Sequence, residues 1–298
     1  MKLLFAPLFV PLLALAACCQ TKIDTRPLPP ALSTDQQVQR LNARAAAVQT
    51  LKARGSVSIT WTDDKGPHSN STDAVILLHQ RPAVHPYDPG VDVLLLGKVA
   101  GSEVFEMGVN ATDHWLAFLV DPHTAYVGPM NAPPASDSRA LRADRILTVL
   151  ALSQLGQRPD TRLAMTVNGE AGGPHDNELH ILRATPAGDI YIERTLIIDR
   201  HSGQVSEIRT YHPNGVAESL AKLDYKPGKQ MDQPTVQTAI MAAPTSQAFP
   251  THIIITTSTD ISRIEFSMDS YDINPTIPPA AFVTPDFAKQ GLKVEPAQ

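Results

Sequence analysis

The chain has 298 residues with a formal net charge of −5, and its composition is 43% hydrophobic and 18% charged. These values exclude a disordered chain, and the mean hydropathy of −0.11 excludes a polytopic membrane protein. The acidic balance creates no basic field for phosphates, so we expect no nucleic-acid partner.

Prolines and cysteines narrow the possibilities further. The 26 prolines favour many loops and strand ends over a helical bundle. The two cysteines, Cys18 and Cys19, are adjacent, which excludes a disulfide framework within the domain and a cysteine-based zinc site.

The first 17 residues have the features of a secretory signal. An uncharged apolar run from Leu3 to Ala17 follows a single lysine and contains two prolines, so it is too short and too broken for a spanning helix. The run ends in Leu15-Ala16-Ala17-Cys18, which resembles the bacterial lipobox, whose cysteine is acylated. We therefore predict a signal peptide over residues 1–17 and a lipid anchor on Cys18 that attaches the protein to a membrane. The alternative is an ordinary secreted protein whose signal ends near a cysteine.

The residues after the anchor indicate a location and a tether. Cys19 stands where an aspartate retains lipoproteins in the inner membrane of well-studied bacteria, so we expect the periplasmic face of the outer membrane. Residues 18–32 are predicted to be a lipidated tether, because their prolines favour an extended chain. The folded domain is predicted over residues 33–298, within which no repeat or composition break occurs.

The domain is predicted to open with an amphipathic helix. Ser33 and Gln36 match a capping box, and apolar residues then recur at steps of three and four. This spacing predicts a helix from Thr34 to Ala53, ended by Gly55.

A long series of strands follows, because apolar and polar residues alternate between turn signals. The short connections favour antiparallel hairpins. A second helix is predicted from Ser138 to Leu155. The predicted strands begin around Val57, Ile59 and Trp61 and continue over Ala74–Leu78, Val91–Lys98, Glu103–Val109, His114–Val120, Thr124–Gly128, Leu163–Val167, Leu179–Ala184, Asp189–Ile198, Val205–Tyr211, Val216–Tyr225, His252–Thr257 and Arg263–Met268.

This order of elements, together with several local segments, resembles the LolA/LolB-like lipoprotein carriers. The resemblance covers most of residues 33–288. The segments that carry it are Leu41–Val57, Phe105–Asn110 followed by Trp115, Ile198–Arg200 with Gly203–Val205, and Ile273–Pro275 with Ile277, Pro278 and Phe282.

The resemblance implies an α+β fold: an incomplete antiparallel β-barrel, that is, a strongly curved sheet, with helices covering the concave face. In that family the concave face holds acyl chains. The lipid anchor and the long loop over residues 226–250 depart from the compact soluble carriers, so the resemblance implies an anchored receptor or a local lipid binder.

Aromatic and methionine side chains on successive strands are the candidate ligand-binding residues. They would line an apolar cavity for a lipid or the acyl chain of a protein, and the alternative is that they form an ordinary core. The candidate residues are Trp61, Phe105, Met107, Trp115, Phe118 and Tyr126.

Catalytic chemistry has little support in the sequence. The common hydrolase, nucleotide-binding and zinc-protease motifs are absent, and His114, His123 and His175 stand near carboxylates but fit loop and strand-end positions. We therefore expect a protein that is not an enzyme and uses no cofactor or metal. The predicted function is non-covalent binding of a lipid or acyl chain, and the alternative is an envelope interaction module with a filled core.

Overall fold

The computed structural model describes most of the predicted domain. The described residues are 29–63, 66–84, 88, 90–131, 148, 150–156, 160–167, 176–185, 187–225, 249–257 and 263–297. The predicted signal peptide, Cys18, and residues 226–248 of the long loop lie outside them.

The opening helix, α1, spans Thr34–Ala47 and begins as the capping box predicts. The Ser33 amide donates to Oε1 of Gln36 at 2.9 Å, and Oγ of Ser33 accepts from the Gln36 amide at 3.3 Å. The buried residues of α1 are Gln37, Leu41 and Ala45, so these three define the inward side of the helix.

The predicted end of this helix is wrong, because tertiary hydrogen bonds draw the chain into a strand. Oδ1 of Asn274 accepts from the amides of Gln49 and Thr50, and its Nδ2 donates to the carbonyl of Ala47. Gly55 therefore lies within the first strand, opposite a bulge. A Cβ atom on Gly55 would come within 2.0 Å of the Ser267 carbonyl oxygen, so close strand pairing explains this glycine.

The described chain forms fourteen strands and a short 3-10 helix over Pro279–Phe282. The predicted strands are confirmed with shifted ends, whereas the last strand was not predicted. Their bounds are β1 Thr50–Asp63, β2 Gly66–Gln80, β3 Val91–Val99, β4 Ser102–Val109, β5 Asp113–Phe118, β6 Thr124–Pro129, β7 Thr161–Val167, β8 Asp176–Ala184, β9 Ile190–Asp199, β10 Val205–Tyr211, β11 Ala217–Asp224, β12 His252–Thr257, β13 Arg263–Ile273 and β14 Lys293–Pro296.

All fourteen strands belong to one sheet, in the order β14-β6-β5-β4-β3-β2-β1-β13-β12-β11-β10-β9-β8-β7. Two meanders, β1–β6 and β7–β13, are joined where β1 pairs with β13. Every pair is antiparallel except β14 with β6. Within the described residues the terminal strands β14 and β7 do not pair with each other, so the sheet is an incomplete, open barrel.

The predicted second helix falls largely outside the described residues. Thr148 is helical, but residues 150–155 are not. Ala151 has a φ of 54°, a left-handed conformation that ends a right-handed helix. The predicted C-terminal part of this helix is therefore wrong, and covering of the concave face by more than one helix stays a prediction.

The sheet curves around one large apolar cluster. Buried side chains from one face of β1–β4 and of β8–β13 meet in this cluster with Leu41 of α1. A flat sheet with strands about 4.8 Å apart could not bring so many strands to one cluster, so this is the concave face.

A second apolar cluster lies on the opposite, convex face. It consists of residues from β3, β5 and β6 together with Phe282, Phe287 and Leu292. These last three residues belong to the C-terminal segment, residues 275–297, which therefore covers one part of the convex face.

Candidate functional site

The structure divides the six predicted lining residues between the two faces of the sheet. Met107 is 2% exposed and belongs to the concave cluster, which Phe105 packs against. Phe118 pairs with Phe105, and Tyr126 pairs with Leu116, which pairs with Met107. Directly paired residues share a face, so Phe105, Met107, Phe118 and Tyr126 all lie on the concave face. Trp61 lies in β1 opposite His68, and its side chain is outside the described part of the structure.

Trp115 is on the other face and does not join this group. It is 2% exposed within the convex cluster. Its ring lies over Gly108, where a Cβ atom would come within 2.1 Å of the indole. Its Nε1 donates to Oε1 of Glu106 at 2.9 Å, and burial raises the pKa of Glu106 despite this hydrogen bond.

The concave face is covered by α1 and by residues 150–156, which we call the cover segment. Leu150, Leu152 and Leu155 of this segment are buried in the concave cluster. The side chain of Asn42 ties it to α1, because its Nδ2 donates to the Leu155 carbonyl at 2.9 Å and its Oδ1 accepts from the Leu155 amide at 2.7 Å.

Arg44 extends from α1 across an aromatic group below the helix. Its guanidinium lies 5.3 Å from the centre of the Phe249 ring, which stacks on Tyr271 at 4.9 Å. Such cation–π contacts add about 0.5–2 kcal/mol, with larger values where water is excluded. The hydroxyl of Tyr225 donates to the Val205 carbonyl at 2.9 Å. Burial raises the pKa of both tyrosines, so both stay neutral hydrogen-bond donors.

Arg40 lies one helical turn before Arg44 and packs against the β9–β10 turn. One of its terminal nitrogens donates to the Ser202 carbonyl at 3.0 Å. A Cβ atom on Gly203 would come within 1.9 Å of the guanidinium, so Arg40 packs closely against the backbone of this turn. Burial, and then the charge of Arg44, lower the pKa of Arg40.

The interior beneath α1 is closely packed in the described part of the chain. A space of about 10 Å³ remains between α1, the cover segment and β9, lined by residues that include Leu41, Leu155 and Leu196. This volume suits about one water molecule. An open cleft of about 540 Å³ lies instead on the solvent side of α1, beside Val38, Ala43 and Gln154. The space between α1, the cover segment and β9 is therefore too small for an acyl chain, which would need α1 or the cover segment to move in order to bind there.

The histidines of the alternative catalytic hypothesis occupy separate structural positions. The ring of His114 lies against Gly128, and the carbonyl of His123 accepts from the Lys293 amide at 2.9 Å. His175 lies outside the described residues. Over the ranges that the structure describes, no three His, Cys, Asp or Glu residues are grouped so that they could hold a metal ion.

The sequence analysis missed four polar residues of α1 that contact the rest of the domain: the buried Gln37 and the half-buried Arg40, Asn42 and Arg44. A signal for them exists, because Gln37 lies one turn before Leu41 and therefore on the helix side that was predicted to be apolar. A buried glutamine at such a position indicates a polar contact beneath the helix.

Comparisons with known proteins identify the fold. No protein-family model matches the sequence, and no curated protein matches it. A LolA superfamily protein from Nitrosomonas europaea aligns over 85% of this chain and 99% of its own, with 10% identity and a TM-score of 0.49. A DUF1329 family protein from Desulfovibrio piger aligns over 85% of this chain and 98% of its own, with 9% identity and a TM-score of 0.51.

The Desulfovibrio likeness concerns the fold alone at this level of identity. Together with the open antiparallel sheet it confirms the predicted LolA/LolB-like fold. Among the helices of the described chain, none combines the length and apolar character that a bilayer-spanning helix requires.

Proposed function

We propose that this chain is a bacterial envelope lipoprotein that binds a lipid, or the acyl chain of a protein, non-covalently on its concave face. The observation that carries the proposal is the apolar lining of this face, to which β1–β4 and β8–β13 contribute. It lies beneath a cover segment whose described hydrogen bonds to α1 come from Asn42 and Arg44. The lining residues from the predicted set are Phe105, Met107, Phe118 and Tyr126, and Trp61 stays a proposed member.

Binding at this face needs no covalent step. Burial of apolar surface is favourable by about 25 cal/mol per Å², so an acyl chain that replaces the cover segment over the lining would be held by the same contacts that hold Leu150 and Leu155. Phe105 and Phe118 of the proposed lining are half-buried and would add apolar surface to this site.

A second function has its own supporting observation. The small space beneath α1, about 10 Å³, favours an envelope interaction module with a filled core that works through its surface. The two proposals differ in whether the cover opens for a ligand.

A pair of variants tests the lipid proposal. Met107 on the concave face and Leu94 on the convex face are buried aliphatic residues on adjacent strands. Met107→Ala and Leu94→Ala should each cost about 2–5 kcal/mol of folding free energy. Only Met107→Ala should also weaken binding of a fluorescent fatty acid, measured by titration of the folded proteins. Failure of the wild-type protein to bind the probe would contradict the lipid proposal and favour the filled-core module.

The proposed location rests on the amino terminus. The signal over residues 1–17, the acylated Cys18 and the tether over residues 18–32 would place the domain at the periplasmic face of the outer membrane. Cys18→Ser should release the protein from the membrane fraction and prevent labelling with a radioactive fatty acid. Continued sedimentation of labelled Cys18→Ser protein with membranes would contradict the anchor.

A further inference from the structure

Two hydrogen-bond donors on the inward side of α1 have no acceptor in the described structure. Gln37 is 1% exposed, and its Nε2 has no hydrogen-bond partner there. Nε of Arg44 is also buried without an acceptor. A buried donor without an acceptor costs about 1–3 kcal/mol, so such groups indicate a partner that is missing from the described structure.

Arg40 and Arg44 also differ in their charge partners from the arginines that form ion pairs. Arg54, Arg81 and Arg183 each pair with a carboxylate. Within the described ranges, neither Arg40 nor Arg44 has a carboxylate within ion-pair distance. Arg40 donates to the Ser202 carbonyl, and Arg44 interacts with the Leu150 carbonyl and the neutral hydroxyl of Tyr225. Two neighbouring cations are thus held beside the apolar interior without an anion from the described chain.

These donors are arranged along one line of the helix. Gln37, Arg40 and Arg44 follow at steps of three and four, which places them on adjacent turns. Seven residues of helix span about 10 Å. An anion with several oxygen atoms could therefore contact more than one of these side chains. We call these three residues the donor face.

We infer that the donor face binds the anionic headgroup of an amphiphilic ligand, with its phosphate or carboxylate oxygens on Arg40 and Arg44 and its acyl chain on the concave face below Leu41. This inference rests on the proposed function for the position of the acyl chain. The guanidinium groups suit it because they present a planar set of donors to oxyanions and lose little hydration energy on burial. The amide of Gln37 adds a neutral donor to the same oxygens.

Two amphiphiles that share a dodecyl chain but differ in their headgroup test the inference. Isothermal titration below the micelle concentration should show that the wild-type protein binds dodecyl phosphate about tenfold or more tightly than neutral dodecyl maltoside, since charge-assisted hydrogen bonds are the strong class. The variant Arg40→Gln/Arg44→Gln should lose this preference and keep its affinity for dodecyl maltoside. Arg40→Lys/Arg44→Lys should keep a part of the preference, because it retains both charges.

The control variant carries the same change in net charge elsewhere. Arg54→Gln/Arg209→Gln removes two exposed, ion-paired arginines and should leave the preference unchanged. Circular dichroism establishes that each variant is folded. A preference that survives in Arg40→Gln/Arg44→Gln would overturn the donor face as the headgroup site.

The remaining outcomes separate this inference from the proposed function. Equal affinity of the wild-type protein for both amphiphiles would overturn the headgroup site and leave the lipid proposal standing. Binding of inorganic phosphate as tight as that of dodecyl phosphate would identify a free anion as the ligand and overturn the amphiphile. Failure of both amphiphiles to bind, with phosphate binding that depends on Arg40 and Arg44, would overturn the lipid proposal and the amphiphilic ligand together, and would identify the donor face as a site for a free anion.

Discussion

The two faces of the sheet bury apolar side chains in different ways. On the convex face, the C-terminal segment is bound along its length by hydrogen bonds to the sheet, through Asn110 to Phe282 and Thr284 and through β14 to β6. On the concave face, the cover segment is tied to α1 mainly by Asn42. The donor face beside it keeps buried donors without acceptors in the described structure.

This difference separates a structural cluster from a candidate binding surface. A ligand on the convex face would have to displace a paired strand and leave its backbone groups unsatisfied, which is costly. A ligand on the concave face would displace a short segment and could supply acceptors to the donor face. The contrast therefore indicates a structural role for Trp115 and its neighbours, and it supports the proposal that a ligand binds on the side of α1.

The largest expected effect is a loss of stability when the convex cluster is disrupted. Trp115→Ala should lower the free energy of unfolding by about 3–5 kcal/mol, because it removes a fully buried aromatic side chain and leaves a cavity over Gly108. Denaturant unfolding measures this loss. The affinity of the folded variant for a fluorescent fatty acid should stay unchanged, and a parallel loss of affinity would place the ligand on the convex face.

A smaller effect concerns the attachment of the cover segment. Asn42→Ala removes two hydrogen bonds to Leu155 and should cost about 1–3 kcal/mol. Hydrogen exchange of the Leu155 amide should become faster, while that of the Leu292 amide in the C-terminal segment should not change. Gln49→Ala is the matched control. The side chain of Gln49 is exposed, and its described hydrogen bond goes to the nearby Ala46 carbonyl. Unchanged exchange at Leu155 would show that Asn42 does not hold the cover.

The smallest expected effect is a pH dependence of the stability. It arises from His252, which lies on the convex face outside the part that the C-terminal segment covers. The hydrogen bond to Glu265 at 2.7 Å is the main reason that the pKa of His252 is raised above its ordinary value of 6.5. Because the folded protein binds this proton more tightly, the stabilisation is complete below about pH 6.5 and is lost as the pH rises through the raised pKa. Unfolding midpoints across this range should fall with rising pH in the wild-type protein. His252→Gln and Glu265→Gln should both flatten the slope, and a slope that persists in both would assign it to other groups.

Much of the fold could be predicted because its signals are local. The capping box at Ser33 and the alternation in the strands act over a few residues, and the structure confirms both. The end of α1 could not be predicted in this way. Apolar steps through Leu51 fit a helix and a strand alike, and the choice depends on Asn274, which is distant in sequence but adjacent in space.

The candidate site shows the same division. Alternation alone separates Trp115 from Phe118 within β5, since residues three apart point to opposite faces. Alternation cannot show which side chains of β5 share a face with those of β4, because this depends on the register between the two strands. The polar residues of α1 were missed because a buried glutamine and two arginines resemble an ordinary solvated helix side until the surrounding strands are known.

The sequence by itself determined the start of the opening helix, the antiparallel strands and the LolA/LolB-like fold, and it predicts the lipid anchor at Cys18. The tertiary structure alone decided where α1 ends, which aromatic residues share the concave face, and that the C-terminal segment covers the convex one. The physical reason is range: helix caps and alternation are set by neighbouring residues, whereas the two faces are defined by pairing of β1 with β13 and of β14 with β6, between segments far apart in the chain.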